Sequence, residues 1–273
     1  MPEGPEIRRV ADRVGRVLIN APLTQVWFAF PEIEAAAGRL SRSHVTQVDC
    51  WGKALLITFA DGHVLYSHNQ LYGVWRLHRR DQPPSTGRQL RARLTTADHA
   101  ASLYSASDIS LWTTETLAQQ PFLARLGPDL LTHDVASEDI VARLTERRFA
   151  SRGLGSLLLD QGFYAGIGNY LRSEILFFAG LGPRQRPKDL SGAQRKRLAH
   201  CILATIDQAY REAGVTNRPA WRQRLQQAGK RRSEWRFAVF NREHQPCHVC
   251  GSIILRESVA SRRLYRCPSC QPE

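Results

Sequence analysis

Four cysteines carry the clearest chemical pattern in this chain. Cys247-His248-Val249-Cys250 and Cys267-Pro268-Ser269-Cys270 are two Cys-x-x-Cys pairs separated by sixteen residues. Paired thiols at this spacing suit tetrahedral coordination of one structural zinc ion on two β-hairpin knuckles, with no position left open for catalysis. Cys50 and Cys201 stand alone. The grouping therefore points to metal rather than to disulfides, as a reducing compartment would have it. The segment between the pairs holds Arg256, Arg262, Arg263 and Arg266, and a metal-stapled hairpin this basic is suited to gripping phosphates.

Three further stretches could do chemistry, each with an ordinary structural reading beside it. The chain starts Met1-Pro2-Glu3-Gly4-Pro5-Glu6. With Met1 removed, Pro2 exposes a secondary amine; an α-amino group titrates near pH ~8, so part of it is unprotonated and nucleophilic. Glu3 stands beside it to move protons; taken alone, this is a common N-terminus. Lys53, after Gly52 at a strand start, can reach a phosphate or sugar oxygen, or be a plain surface lysine. Ser67-His68-Asn69-Gln70-Leu71-Tyr72-Gly73 puts a polar, an apolar and an aromatic side chain on one loop. That set can fill the gap left when a base is extruded, with Leu71 as the wedge, or can simply pack as a hairpin loop.

A fourth stretch is Leu157 to Leu176, in which two apolar segments flank Ala165-Gly166-Ile167-Gly168-Asn169. Glycines let backbone amides approach a ligand, and the helix that follows offers its positive end, a geometry that binds phosphate without reading sequence. The plain alternative is a connector between two packed helices.

The elements that must position these residues follow from periodicity. Ile7, Val10, Ala11, Val14 and Leu18 share one helical face, so residues 5–18 form an amphipathic helix, and Pro5 is tolerated in its first turn. Residues 23–30, 45–50, 54–59 and 64–67 are rich in β-branched and aromatic side chains and predict strands. Asp61-Gly62 predicts a hairpin with positive φ at both turn positions. These strands make a mostly antiparallel sandwich led by one helix, with a surface loop at 81–87. Gly127-Pro128-Asp129 marks a linker, after which the chain turns helical at 137–147 and 169–178. Ser191 with Gln194 is a capping box opening a long helix that ends at Gly214. Residues 215–234 are polar and basic and read as loop.

Composition narrows the partner. The chain has 273 residues, 42% of them hydrophobic, and a formal net charge of +13. That is room for two domains and a small module, and a charge that most often meets nucleic acid rather than a merely solvated surface. Charged residues at 3, 6, 8 and 9 break any signal-peptide core, and no apolar run approaches a membrane span; a cytoplasmic, membrane-free protein is expected.

Taken together and in order, the Pro-Glu-Gly-Pro-Glu start, the Gly52-Lys53 pair before a strand, the glycine-rich turn between helices and the terminal four-cysteine finger resemble the formamidopyrimidine-DNA glycosylase and endonuclease VIII family. The resemblance covers nearly the whole chain. It implies an α+β multidomain fold: an N-terminal helix and antiparallel β-sandwich over 1–126, a helix–two-turn–helix domain over 127–216, and a β-hairpin zinc finger over 235–271. It implies a monomeric enzyme acting on damaged double-stranded DNA, with one structural zinc held by Cys247, Cys250, Cys267 and Cys270. Pro2 is then the nucleophile at C1′, Glu3 the general acid, and Lys53 a proton donor that touches the backbone. Asn169 and Arg262 hold the phosphates flanking the lesion. Gln70, Leu71 and Tyr72 match the void-filling loop, in the form of the pyrimidine-specific branch. An oxidised-purine glycosylase shares the chemistry and is the near alternative; a non-catalytic zinc-finger DNA-binding protein would not need Pro2, Glu3 or Lys53. Two positions depart from the pattern. Trp51 stands where an arginine is expected before Gly52-Lys53, and Arg263 follows Arg262 where a proline is expected, so Arg263 can share the phosphate contact.

Overall fold

Helix α1 (Gly4–Leu18) turns Ile7, Ala11, Val14 and Leu18 inward, the face that the periodicity predicts. Its first turn is closed by Glu6, whose Oε2 accepts the backbone N–H of Glu3 at 3.0 Å. The computed structural model describes residues 2–273; they divide into one unit ending at Leu126 and another beginning at Gly127.

The first unit is a sandwich of two four-stranded antiparallel sheets. One has the order β2-β3-β4-β8 and the other β1-β6-β7-β5. In chain order the strands are β1 (Gln25–Phe28), β2 (Val45–Trp51), β3 (Ala54–Phe59), β4 (His63–His68), β5 (Val74–Arg79), β6 (Leu90–Thr95), β7 (His99–Tyr104) and β8 (Asp108–Thr113), with short helices α2 (Pro31–Glu34) and α3 (Ala37–Leu40) after β1. Leu18 of α1 and Leu55, Ile57 and Leu65 of one sheet pack with Phe28, Leu94 and Leu103 of the other. Each such side chain, fully buried, contributes roughly 1.5–3 kcal/mol. The reverse face of β3–β4, with Leu56, Val64 and Tyr66, is covered by Leu123.

The β3–β4 hairpin differs from the sequence expectation. Three residues, 60–62, join the strands, and only Gly62 has positive φ, at 83°. Asp61 instead accepts the His63 N–H at 3.1 Å through its side chain. A three-residue loop needs just one left-handed position, at its end, and glycine supplies it.

The second unit holds α4 (Ser137–Thr145), α5 (Arg147–Ala150), α6 (Leu154–Leu157), α7 (Asn169–Ala179), α8 (Gly192–Arg211), α9 (Pro219–Gln227) and α10 (Arg232–Trp235), then a hairpin of β9 (Leu255–Val259) and β10 (Arg262–Arg266). Helix α7 is buried on every side from Tyr170 to Phe177 and is the axis of the unit. It ends at Gly180, at φ 62°, where the Leu181 N–H donates to Leu176 O at 3.0 Å. The Ser191 capping box forms as read: Gln194 N donates to Ser191 Oγ at 3.2 Å and Ser191 N to Gln194 Oε1 at 2.8 Å.

The stretch 215–234, read as loop, contains α9 and α10. Helix α9 buries no residue, so it has no apolar stripe to betray it. Its start is set by Pro219 in the first turn and its end by Gly229 at φ 70°, signals that mark a helix only once its body is in hand. Among the described residues, no helix is long and apolar enough to cross a membrane.

Candidate functional site

In the first unit, the start of α1 sets a carboxylate beside the chain terminus. Pro2 is half-buried and Glu3, in extended conformation at φ −108°, is the N-cap of α1 with only 5% of its surface exposed. A buried carboxylate at a helix N-terminus is stabilised as an anion by the helix dipole. Arg8, one turn on, ties α1 to the sheet by donating to Asp49 Oδ1 at 2.6 Å.

Gly52 and Lys53 form the two-residue turn between β2 and β3, with Trp51 paired to Ala54 and Gly52 at φ 61°. A primed turn requires that positive φ, which is why glycine precedes the lysine. Ala54 pairs in turn with His68 on β4. Sequence reading passed over His68 as a functional group. Burial lowers its pKa; the facing Asp108 works against this, and the Lys53 charge adds to it. Burial and the lysine thus both favour the neutral form of His68. Asp108 also accepts from the Tyr66 hydroxyl at 3.1 Å, and burial together with that carboxylate pushes the tyrosine pKa up. The only hint of this polar cluster in the sequence is the alternation Tyr66, His68 on one strand.

The loop after β4 is built for display. Leu71 is 61% exposed and Tyr72 69%, although neither gains by facing water. Asn69 is buried beneath them, and its carbonyl accepts the Gly73 N–H at 2.7 Å. A Cβ at Gly73 would lie 2.6 Å from that oxygen, so glycine is obligatory there. Gln70 takes φ 48°, a conformation costing a non-glycine residue of order 1–3 kcal/mol. Its side chain accepts from Ser107 Oγ at 2.8 Å.

In the second unit, Asn169 opens α7 after Gly166, at φ 97°, and Gly168. Gln161 braces this turn: its Nε2 donates to Leu159 O and Ile167 O, both at 2.9 Å, and its Oε1 accepts from Gly166 N at 3.1 Å. The Asn169 Oδ1 is buried with no hydrogen-bond partner. Rotating the amide by half a turn is isosteric and puts two N–H donors at that position, ready for an anion at the positive end of a helix.

The next residues of α7 hold the finger. Arg172, fully buried, donates to Gly155 O at 2.9 Å, Val259 O at 3.0 Å, Arg262 O at 3.4 Å and Arg263 O at 3.0 Å. Ser173 Oγ accepts from Tyr265 N at 3.2 Å. Glu174 accepts from Ala238 N, Val239 N and Phe240 N at 2.8, 2.8 and 2.9 Å and from Thr216 Oγ1 at 2.6 Å. Thus the asparagine and the paired arginines, distant in sequence, belong to one hydrogen-bonded body. Arg262 and Arg263 are both exposed and leave β10 on alternate faces, just after a turn in which Ala260 and Ser261 take φ of 53° and 57°. Neither Arg172 nor Glu174 was singled out from sequence; their signal is two opposite charges inside the apolar run Asn169–Ala179.

The four finger cysteines converge, with all four Sγ atoms within 4.8 Å of one another. Cys250 Sγ lies 3.4 Å from Cys267 Sγ and 3.5 Å from Cys270 Sγ, and Cys247 Sγ 3.9 Å from Cys270 Sγ. A tetrahedron with metal–sulfur bonds of ~2.3 Å has edges of ~3.8 Å, so the set fits a four-thiolate metal site. Backbone N–H groups of Val249 and Cys270 point at Cys247 Sγ and Cys267 Sγ, each at 3.4 Å, as thiolate acceptors require.

Comparison with known proteins bears on what these parts do together. Residues 1–107 match the formamidopyrimidine-DNA glycosylase N-terminal domain, and residues 126–219 its H2TH domain. Endonuclease 8 of Escherichia coli strain K12 / DH10B is 46% identical over 271 residues, covering 99% of this chain and all of its own; that of strain UMN026 is 47% identical over the same span. Among solved structures, MutM in complex with carbocyclic 8-oxo-G containing DNA matches with a TM-score of 0.81 at 20% identity, over the whole of both chains. The Lactococcus lactis enzyme non-covalently bound to an AP-site DNA matches at 0.79 and 20%, over 99% of this chain and all of that one. By sequence over its full length, and by fold, this chain belongs to the formamidopyrimidine-DNA glycosylase and endonuclease VIII family.

Proposed function

We propose that this chain excises oxidised pyrimidines from duplex DNA and then cuts the strand, as a bifunctional DNA glycosylase and AP lyase of base-excision repair. The observation that carries the reading is the full-length likeness to proteins named endonuclease 8, joined to a buried carboxylate set beside Pro2. The exposed Leu71-Tyr72 loop supports the pyrimidine branch. Extruding a nucleotide costs a few kcal/mol, least for a lesion that stacks poorly, and the wedge needs only to hold the gap open.

The chemistry is written on Pro2. Glu3 takes one proton from the Pro2 ammonium, and the freed nitrogen forms a bond to C1′ as the bond from C1′ to the base breaks; the bonding pair leaves with the base, which Glu3 protonates. Glu3 then takes the remaining proton from the alkylated Pro2 nitrogen and delivers it to the sugar ring oxygen, and ring opening yields an iminium between Pro2 and C1′. Loss of a C2′ proton expels the 3′ phosphate, and a second elimination expels the 5′ phosphate, leaving a gap bounded by phosphates. Lys53 supplies a proton within the first unit, and Asn169, Arg262 and Arg263 hold flanking phosphates within the second. On this reading residues 1–126 carry the chemistry, 127–216 and 235–271 the grip on DNA, and the protein works as a cytoplasmic monomer.

The test is borohydride reduction during turnover on matched duplexes carrying thymine glycol, dihydrouracil or 8-oxoguanine. A trapped adduct whose linked peptide begins at Pro2, formed faster on the pyrimidine lesions, is expected. An adduct on an internal lysine would refute the nucleophile, and faster trapping on 8-oxoguanine than on every pyrimidine would move the protein to the purine branch.

Zinc is assigned to Cys247, Cys250, Cys267 and Cys270 as a structural ion that supplies folding energy and no chemical step. The finger also buries Ile254, Leu264 and Tyr265 against the rest of the second unit, and metal binding adds folding energy to that packing. Cys267→Ser is expected to release the metal and unfold the hairpin, with DNA affinity falling by at least tenfold. Metal analysis of the native protein showing no zinc would overturn the assignment.

A further inference from the structure

The segment from Arg218 to Arg236 carries six arginines, one lysine and a single acid, Glu234, so it holds +6 of the chain's formal +13. No residue of α9 or α10 is fully buried, and Trp221, partly buried against Phe177 and the finger's apolar cluster, is their contribution to a core, so apolar burial accounts for little of their order. What holds α9 is Trp221, whose ring stacks on His248 of the first cysteine knuckle at 4.9 Å, and Arg218, whose guanidinium lies 5.0 Å over the Trp221 ring. Arg222 is bound to Glu212 and Arg236 donates to Gly214 O at 3.0 Å. Arg218, Arg224, Lys230, Arg231 and Arg232 remain on the surface, and Arg231 has 86% of its side chain exposed. Like charges this dense repel one another and tax a helix with no core of its own, and a polyanion relieves that repulsion.

We infer that α9 and α10 form a second DNA-backbone surface, at the metal end of the finger, that grips duplex away from the lesion. This rests on the glycosylase reading and extends it. Arg262 and Arg263 stand at the turn end of the β9–β10 hairpin, whereas α9 is seated on the knuckle at its other end. Five-residue strands separate the two by ~17 Å, about five base pairs of duplex. A nucleic-acid occupant fits better than a protein. The large exposed apolar residues of this unit, Val249, Ile253 and Leu255, all lie in the finger and none on α9 or α10. A protein partner needs such anchors, while a phosphate backbone needs only cations.

The experiment uses the full-length protein and the variant Arg224→Gln/Lys230→Gln/Arg231→Gln, with zinc content and thermal midpoint matched to the parent. Duplexes carry a stable abasic analogue with about 14 base pairs on both sides, or with about four on one side or the other. Each phosphate contact contributes ~0.9 to the slope of log K against log salt. The parent is expected to lose a slope of about 2–3 when one particular side is shortened. On the long duplex its affinity should fall about 40-fold more than the variant's between ~50 and ~200 mM salt. The variant should be indifferent to shortening that side. Equal slopes for parent and variant, or a loss independent of duplex length, would overturn the inference while leaving the glycosylase reading intact. Parent-specific capture of a polyglutamate peptide with equal DNA slopes would overturn it in favour of an acidic protein partner. Failure of the parent to prefer any lesion-bearing duplex would remove both.

Discussion

Glu3→Gln is expected to slow release of thymine glycol from duplex DNA by ~10²–10⁴-fold, the range for loss of a positioned general acid. The glutamine keeps the size of a side chain that is 5% exposed, so the loss reads chemistry and not packing. Cleavage of a preformed abasic site should fall much less, because the base has already gone and only the imine and eliminations remain. Single-turnover rates on the two substrates separate the steps. If both fell equally, Glu3 would be serving the imine and not base release, and if neither fell, the carboxylate would be a helix cap and nothing more. Circular dichroism of the variant should match the parent, since the N–H of Glu3 is satisfied by Glu6 whichever residue stands at position 3.

The largest effect on stability is expected at Glu174. Its carboxylate accepts from three consecutive backbone N–H groups and the Thr216 hydroxyl, with none of its surface exposed. Glu174→Ala leaves those donors buried without an acceptor, at ~1–3 kcal/mol each, and adds a cavity. A destabilisation of at least ~3–5 kcal/mol follows for the second unit. Urea unfolding followed by tryptophan fluorescence checks it, since Trp221 and Trp235 lie in the affected region. Glu174→Gln should lose less, because one amide oxygen can still accept. A loss below ~1 kcal/mol for the alanine would show that water replaces the carboxylate and that the finger is not held as described.

What the sequence made legible was whatever repeats or is spaced. The inward face of α1, the alternating strands, the Ser191 capping box and the cysteine pairs each carry their pattern in a local window, and the structure places all of them. The polar interior was less legible. Arg172 and Glu174 look like ordinary helix residues until the chain returns some 65–90 residues later to meet them, and no window that short reports such a meeting. The same holds for His68, whose neighbours Lys53 and Asp108 arrive from the β2–β3 turn and from β8. Helix α9 escaped for the opposite reason: it buries no residue fully and packs mainly through Trp221, so its side chains carry no periodic trace of a core.

The order in which these partners are made has a consequence for biosynthesis. Helix α7 leaves the ribosome well before the segment from Ala238 to Tyr265 that satisfies its three consecutive polar residues. At ~5–20 residues per second, ~90 residues of further synthesis take several seconds. Throughout that interval, closing the helical core would bury the Arg172 guanidinium and the Glu174 carboxylate away from most of their partners. Docking of α7, and with it the final shape of the turn at Asn169, is therefore withheld from the nascent chain. A half-made polypeptide has its sandwich but not the hairpin whose backbone meets Arg172 and Ser173, so the second unit closes only after the finger has been translated.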